Sequence, residues 1–145
     1  MRRILLLLSA FAASGLVAAG LARAASGVST TTTFTVHMTG GQEVPKGSPT
    51  GSGTAVLSLT PSTGRVCFHL TWSKIDTPIA SHIHKAPKGK AGAVVVPLFS
   101  TPPAKHSGCV SAAKSLVAAI LKHPSDYYVN IHTKRYPNGA IRGQL

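Results

Sequence analysis

The sequence predicts a mainly β protein, a compact antiparallel β-sandwich or barrel of about seven to eight short strands with one short helix. Apolar and polar residues alternate in several separate short runs, which is typical of half-buried strands. Segments rich in glycine, proline and serine separate these runs and indicate turns. A single stretch has helical periodicity, so we expect one helix against the sheets.

The first strands follow from simple alternation. The runs 33–39, 53–59 and 65–72 each place their large apolar side chains on one face, as a strand with one buried side requires. The second and third runs are joined by Pro61-Ser62-Thr63-Gly64, a composition typical of tight turns. We therefore predict a hairpin over these two strands.

The second half of the chain is predicted to continue in the same way, with loops at 40–49 and 100–108. Pro97 cannot donate a backbone hydrogen bond, so its strand is expected near a sheet edge. The further strands are predicted at 79–84, 93–99, 127–133 and 140–145.

The helix is predicted from about Ser111 to Lys122. Ser111 can act as the N-cap, and Pro124 follows the last turn, where it ends the helix. The side chains that form its apolar stripe are Ala113, Leu116, Val117, Ile120 and Leu121.

The first residues are predicted to be a secretory signal peptide, 1–24. Two arginines precede an apolar run over 4–22, and Ala22-Arg23-Ala24 is a small-x-small cleavage site. The alternative is a membrane anchor, since the run is almost long enough to span a bilayer. We expect cleavage, no transmembrane anchor thereafter, a flexible lead over 25–33 and one domain over 34–145. The protein is then exported, to a periplasm or to the extracellular space.

The mature chain is strongly basic. Without Arg2, Arg3 and Arg23 it keeps 12 basic residues against 3 acids, a net charge of +9. Such a field favours anionic cell-surface or extracellular polymers as partners, although it also serves solubility alone. The basic residues are scattered and are not interleaved with aromatics, so nucleic acid is not expected.

Cys67 and Cys109 are the two cysteines of the chain. An even pair in an exported domain is predicted to form a disulfide. Closing the loop between them stabilises a fold by roughly 4 kcal/mol in the chain-entropy model. A thiol nucleophile and a metal thiolate are the alternatives.

Three histidines form the candidate metal site. His82 and His84 lie two residues apart, so in a strand they point to the same side about 7 Å apart. His132, in a second strand, can join them if the two strands are close. Three neutral imidazoles with an open position suit zinc or copper.

Other polar residues are expected around these histidines. Asn130 shares the face of His132, Arg142 is predicted on the neighbouring strand, and Glu43 lies in a loop. In the alternative interpretation the groups satisfy one another, Glu43 pairs with Arg142, and no metal is bound.

The sequence does not favour catalysis, and no catalytic residue is assigned. It contains no GxSxG motif. Glycoside hydrolysis would need two well-placed carboxylates from only three acids, Glu43, Asp76 and Asp126. A non-catalytic binding or structural module is therefore expected, with a zinc or copper protein of redox or hydrolytic activity as the alternative.

Four motifs in order resemble the CHRD domain, named after chordin. They are Gly41-Gln42-Glu43-Val44-Pro45, Ala80-Ser81-His82-Ile83-His84, the run 127–133 and the run 137–145. The resemblance covers 34–145 and implies an extracellular all-β domain that belongs to no established enzyme family. It also implies that Glu43, His82, His84, His132 and Arg142 are characteristic positions. Chordin's cysteine-rich growth-factor-binding modules have no counterpart in this chain.

Overall fold

The computed structural model describes residues 29–100 and 102–145. The predicted signal peptide, 1–24, lies outside the described residues, as does the start of the predicted lead. Within the described ranges the chain forms eight strands, one α-helix and single 3₁₀ turns at Gly40–Gln42 and Pro124–Asp126. The elements are β1 (Thr32–Thr39), β2 (Ser52–Thr60), β3 (Arg65–Ser73), β4 (Pro78–Lys85), β5 (Ala93–Phe99), β6 (Ser107–Ser111), α1 (Lys114–Lys122), β7 (Tyr127–Thr133) and β8 (Ile141–Gln144).

All eight strands belong to one antiparallel sheet in the order β5-β4-β7-β8-β1-β2-β3-β6. The sheet curls into a nearly closed barrel, which confirms the predicted fold class. The end strands β5 and β6 come near each other at the seam. The position of β5 at one end also confirms the edge strand predicted from Pro97.

The barrel interior is filled by the apolar face of each strand. In β1, β2 and β3, Val36 lies opposite Ala55, which lies opposite Leu70, and all three are buried. The hairpin predicted for β2 and β3 is present, with Thr60 paired to Arg65. Each fully buried leucine or valine contributes about 1.5–3 kcal/mol relative to an exposed one, so the alternation seen in the sequence accounts for much of the core.

The region around Cys109 differs from the prediction. Residues 107–111, expected as loop and N-cap, form β6, which pairs with β3. The helix therefore begins at Lys114 rather than near Ser111, and Ala113 precedes it without a side-chain cap. The backbone groups of Ser111 are used by the strand ladder, and this pairing outweighs the local helix signal.

Two smaller boundaries also differ. The segment predicted as irregular loop contains a 3₁₀ turn at Gly40–Gln42. Strand β1 begins at Thr32, inside the predicted flexible lead, because Thr32 and Thr33 pair with Leu59 and Ser58. No helix among the described residues is long and apolar enough to cross a membrane.

The disulfide joins the two strands at the β6 end of the sheet. Cys67 in β3 lies directly opposite Cys109 in β6, and the two residues are bonded. Their neighbours Val66 and Phe68 point into the core, so the bridge lies on the outer face of the barrel, as alternation along a strand requires. It fastens an end strand to the sheet.

Candidate metal centre

His82, His84 and His132 meet on the outer face of the barrel. Ile83 and Ile131, their neighbours in β4 and β7, are fully buried in the core, so alternation turns the histidines the other way. Strands β4 and β7 pair directly, with His82 opposite Asn130. One candidate ligand atom from each histidine can be chosen so that all three lie within 4.8 Å of one another.

The cluster is largely shielded although it lies outside the barrel. His84 and His132 are buried and His82 is half-buried. His84 contacts the loop that follows β4 through Gly92, and His132 contacts the turn before β8 through Pro137. Since these loops supply its contacts, the site lies between the sheet and its connecting segments.

The backbone sets which nitrogens carry protons. His84 Nδ1 lies 2.9 Å from Gly92 O, and His132 Nδ1 lies 2.9 Å from Pro137 O. A carbonyl oxygen only accepts, so each Nδ1 is the N–H donor, and in the neutral ring Nε2 keeps its lone pair. This arrangement, with one ring nitrogen held by a backbone carbonyl, is typical of histidines that bind metals through the other.

The free nitrogens converge on Asn130. Its Oδ1 lies 3.1 Å from His84 Nε2 and 3.0 Å from His132 Nε2. His82 Nδ1 lies 3.1 Å from the same His132 Nε2. Because both Nε2 atoms are unprotonated, His84, His132 and Asn130 direct lone pairs at one another, which favours a cation between them. Without a cation, His82 donates through Nδ1–H to His132 Nε2.

Burial keeps two of the imidazoles neutral. Burial, together with the smaller effects of the neighbouring His132 and His84, lowers the pKa of His82 to about 4. Burial likewise lowers the pKa of His132, although the Pro137 carbonyl acts in the opposite direction. Both rings are thus in the neutral form that binds metals at neutral pH.

Glu43 lies near this network but is not one of its imidazole contacts. The side chain is 4% exposed. Burial raises the pKa of this carboxyl group to about 7, although the Asn130 amide and the positive charge of Arg142 act to lower it. Its Oε1 and the Asn130 Nδ2 are both buried without a hydrogen-bond partner. This raised pKa means that Glu43, unlike an ordinary glutamate, populates its neutral carboxyl form at neutral pH.

Arg142 is a buried residue that links the histidine site to the loop after β4. It is 1% exposed, and burial lowers its pKa. It donates to Lys90 O, Pro87 O and Gln144 Oε1 rather than forming the ion pair with Glu43 considered from the sequence. Its guanidinium carbon lies 3.4 Å from the centre of the Tyr128 ring, which stacks on His84. Arg142 thus connects the loop after β4 to the site.

The sequence-predicted groups are brought together, and the structure adds others. Tyr128 lies two residues before Asn130 in β7, so alternation places both on one face, and this signal could have included Tyr128 in the site. The carbonyls of Gly92 and Pro137 carry no such signal, because any residue has a carbonyl and only the loop conformation directs it.

The fold and this cluster define a mainly β, barrel-like domain with a largely buried three-histidine site on its outer face. The model of the CHRD domain family matches residues 34–145, and the chain belongs to this family. Comparisons with curated proteins and with solved structures find no match.

Proposed function

We propose that this CHRD domain is a non-catalytic binding module that holds one zinc or copper ion through His82, His84 and His132. The observation that carries the proposal is the convergence of their ring nitrogens within 4.8 Å. Two of the rings are oriented by backbone carbonyls, and Asn130 Oδ1 supplies an oxygen beside them. Nitrogen ligands of this kind suit zinc and copper.

Metal content and affinity test the proposal. Protein purified without a metal-affinity tag is expected to hold, or to take up, one equivalent of zinc or copper, measured by elemental analysis and calorimetric titration. Metal at 100 times its Kd should stabilise the fold by about 2.7 kcal/mol. H84A and H132A should each weaken binding by roughly a hundredfold or more, since each removes one of three ligands.

The matched control is H69A, because His69 is an exposed histidine on β3. This variant should bind metal like the wild type. No bound metal, together with no thermal shift on adding either ion, would exclude the metal site. Equal binding by H84A and H69A would also exclude it.

A purely structural cluster is the second candidate, and the unpartnered atoms of Asn130 and Glu43 favour it. Rotating the Asn130 amide by half a turn would direct Nδ2 to the two Nε2 atoms and Oδ1 to the other side. In this candidate, H84A lowers the free energy of unfolding in the presence of chelator as much as in the presence of metal.

The surface charge supports a further proposal, an anionic cell-surface or extracellular polymer as partner. Every lysine and arginine of the described residues except Arg142 is exposed, whereas Glu43 is a buried acid. Binding to such a polymer should weaken steeply as salt rises. Affinity that is flat from low to high salt would exclude it.

Export is proposed from the leader motif, and the disulfide supports it because such bonds persist in oxidising compartments. The mature protein is expected to begin at Ala25. Mass spectrometry of the natural protein checks this, and an intact N-terminus at Met1 would contradict it.

A further inference from the structure

The disulfide on the outer face of the barrel lies against a cation. Arg65 precedes Cys67 by two residues in β3, so both side chains point outwards. Its Nε lies 3.2 Å from Cys67 Sγ, and its Nη2 lies 3.2 Å from Cys109 Sγ. The guanidinium therefore contacts both sulfurs of the bridge.

Among the described residues, the Arg65 guanidinium makes no ion pair and no side-chain hydrogen bond other than those to the disulfide. Its side-chain hydrogen bonds go to the two sulfurs, and the acids of the domain, Glu43, Asp76 and Asp126, lie outside β3 and β6. The positive charge is thus directed at the disulfide rather than neutralised by a carboxylate.

The bridge is also accessible. Cys109 is exposed and Cys67 is half-buried, and β6 is the last strand of the sheet. An approaching thiol meets Cys109 Sγ without crossing the core. Disulfides buried inside a fold lack this access, so the position of the bond matters for its reactivity.

Exchange at this bond has a defined course. A thiolate attacks Cys109 Sγ and forms a new sulfur–sulfur bond, while the Cys67–Cys109 bond breaks. The electron pair of the broken bond leaves on Cys67 Sγ as a thiolate beside Arg65 Nε. A neighbouring cation lowers the pKa of a thiol, and a leaving thiol of lower pKa departs faster.

We propose that Cys67–Cys109 is a thiol-exchange site in which Arg65 stabilises the departing Cys67 thiolate. The reactant is an anionic low-molecular-weight thiol, which the unpaired guanidinium also attracts. The immediate product is a mixed disulfide at Cys109 and a free thiolate at Cys67. The proposal does not depend on the histidine cluster.

The test is the rate of opening of the disulfide in the purified protein. Glutathione and the neutral thiol 2-mercaptoethanol are each added at equal thiolate concentration, the reaction is quenched by alkylation, and the products are counted by mass spectrometry. R65Q should open about three- to tenfold more slowly with both thiols. The wild-type product with glutathione should carry the adduct on Cys109.

R135Q is the matched control, because Arg135 is an exposed arginine in the segment between β7 and β8. It removes the same charge without approaching the bridge, and it should open at the wild-type rate. R65K keeps a positive charge at this position but lacks the guanidinium that contacts both sulfurs, so its disulfide should open at an intermediate rate. R65K also serves if R65Q fails to fold, which thermal unfolding of the oxidised proteins shows.

Four outcomes overturn the proposal. The first is an R65Q rate equal to that of the wild type with both thiols. The second is equal slowing in R135Q, which assigns the effect to the overall field. The third, relevant if R65Q does not fold, is an R65K rate equal to that of the wild type. The fourth is slowing of R65Q with glutathione alone, because it assigns the effect to attraction of the anionic thiol and excludes stabilisation of the departing Cys67 thiolate.

Discussion

Gly139 is expected to be irreplaceable because it makes room for Glu43. Its φ of +133° lies in a region that side-chain-bearing residues rarely adopt. A Cβ at this position would overlap Oε1 of Glu43. Gly139, from the last of the four motifs, and Glu43, from the first, therefore pack against each other.

The cost of Gly139→Ala has two parts. The strained backbone contributes about 1–3 kcal/mol, and forcing an extra carbon against a buried neighbour adds about 1–3 kcal/mol. We expect the free energy of unfolding to fall by at least about 2 kcal/mol, measured by urea denaturation with a chelator present.

Gly89→Ala is the matched control. Gly89 also has a positive φ, +77°, but an added Cβ there meets open space. It should cost about 1–2 kcal/mol from the left-handed backbone alone. The reasoning is refuted if both variants lose the same stability. It is also refuted if adding E43A to G139A recovers none of the loss, since truncating Glu43 removes the overlap.

Two further predictions concern charge and the disulfide. Because the folded-state pKa of Glu43 is raised to about 7 from an ordinary 4.5, the folded protein holds a proton there that the unfolded chain releases between those values. The contribution of Glu43 to stability is therefore lost as pH rises from 4.5 through 7. E43Q removes this dependence, so its stability relative to the wild type should rise with pH across the window by at most about 1.4 kcal/mol per unit. Urea denaturation of metal-free protein at several pH values measures this, and a constant difference would contradict it. Replacing both Cys67 and Cys109 by alanine should lower the free energy of unfolding by up to about 4 kcal/mol, given the 42-residue separation. Calorimetry checks this, and an unchanged midpoint would show that the bridge adds no stability.

The strands were predictable because their signal is local. The alternation within single runs predicted β1, β2 and β3, and the same rule placed His82 and His84 on one face. It also placed Asn130 on the face of His132. Strands β1, β2 and β3 could be predicted from their own residues, without reference to the rest of the chain.

The errors arose where a long-range contact outweighed a local signal. Ser111 has the composition of an N-cap, yet it lies in β6 because β3 offers that segment backbone partners. Glu43 and Arg142 have opposite charges, yet Arg142 donates to Lys90 O, Pro87 O and Gln144 Oε1. The sequence shows which residues are charged, but it does not show which hydrogen-bond acceptors a loop will place beside them.

The sequence by itself determined the mainly β class, the cysteine pair and the side of each strand on which the histidines lie. These properties depend on residue type and on an alternation with a period of two. The tertiary structure alone decided that β4 lies beside β7, that the Gly92 and Pro137 carbonyls orient two imidazoles, and that Arg65 faces the disulfide. These contacts depend on strand order and loop conformation, which arise from the packing of the whole barrel.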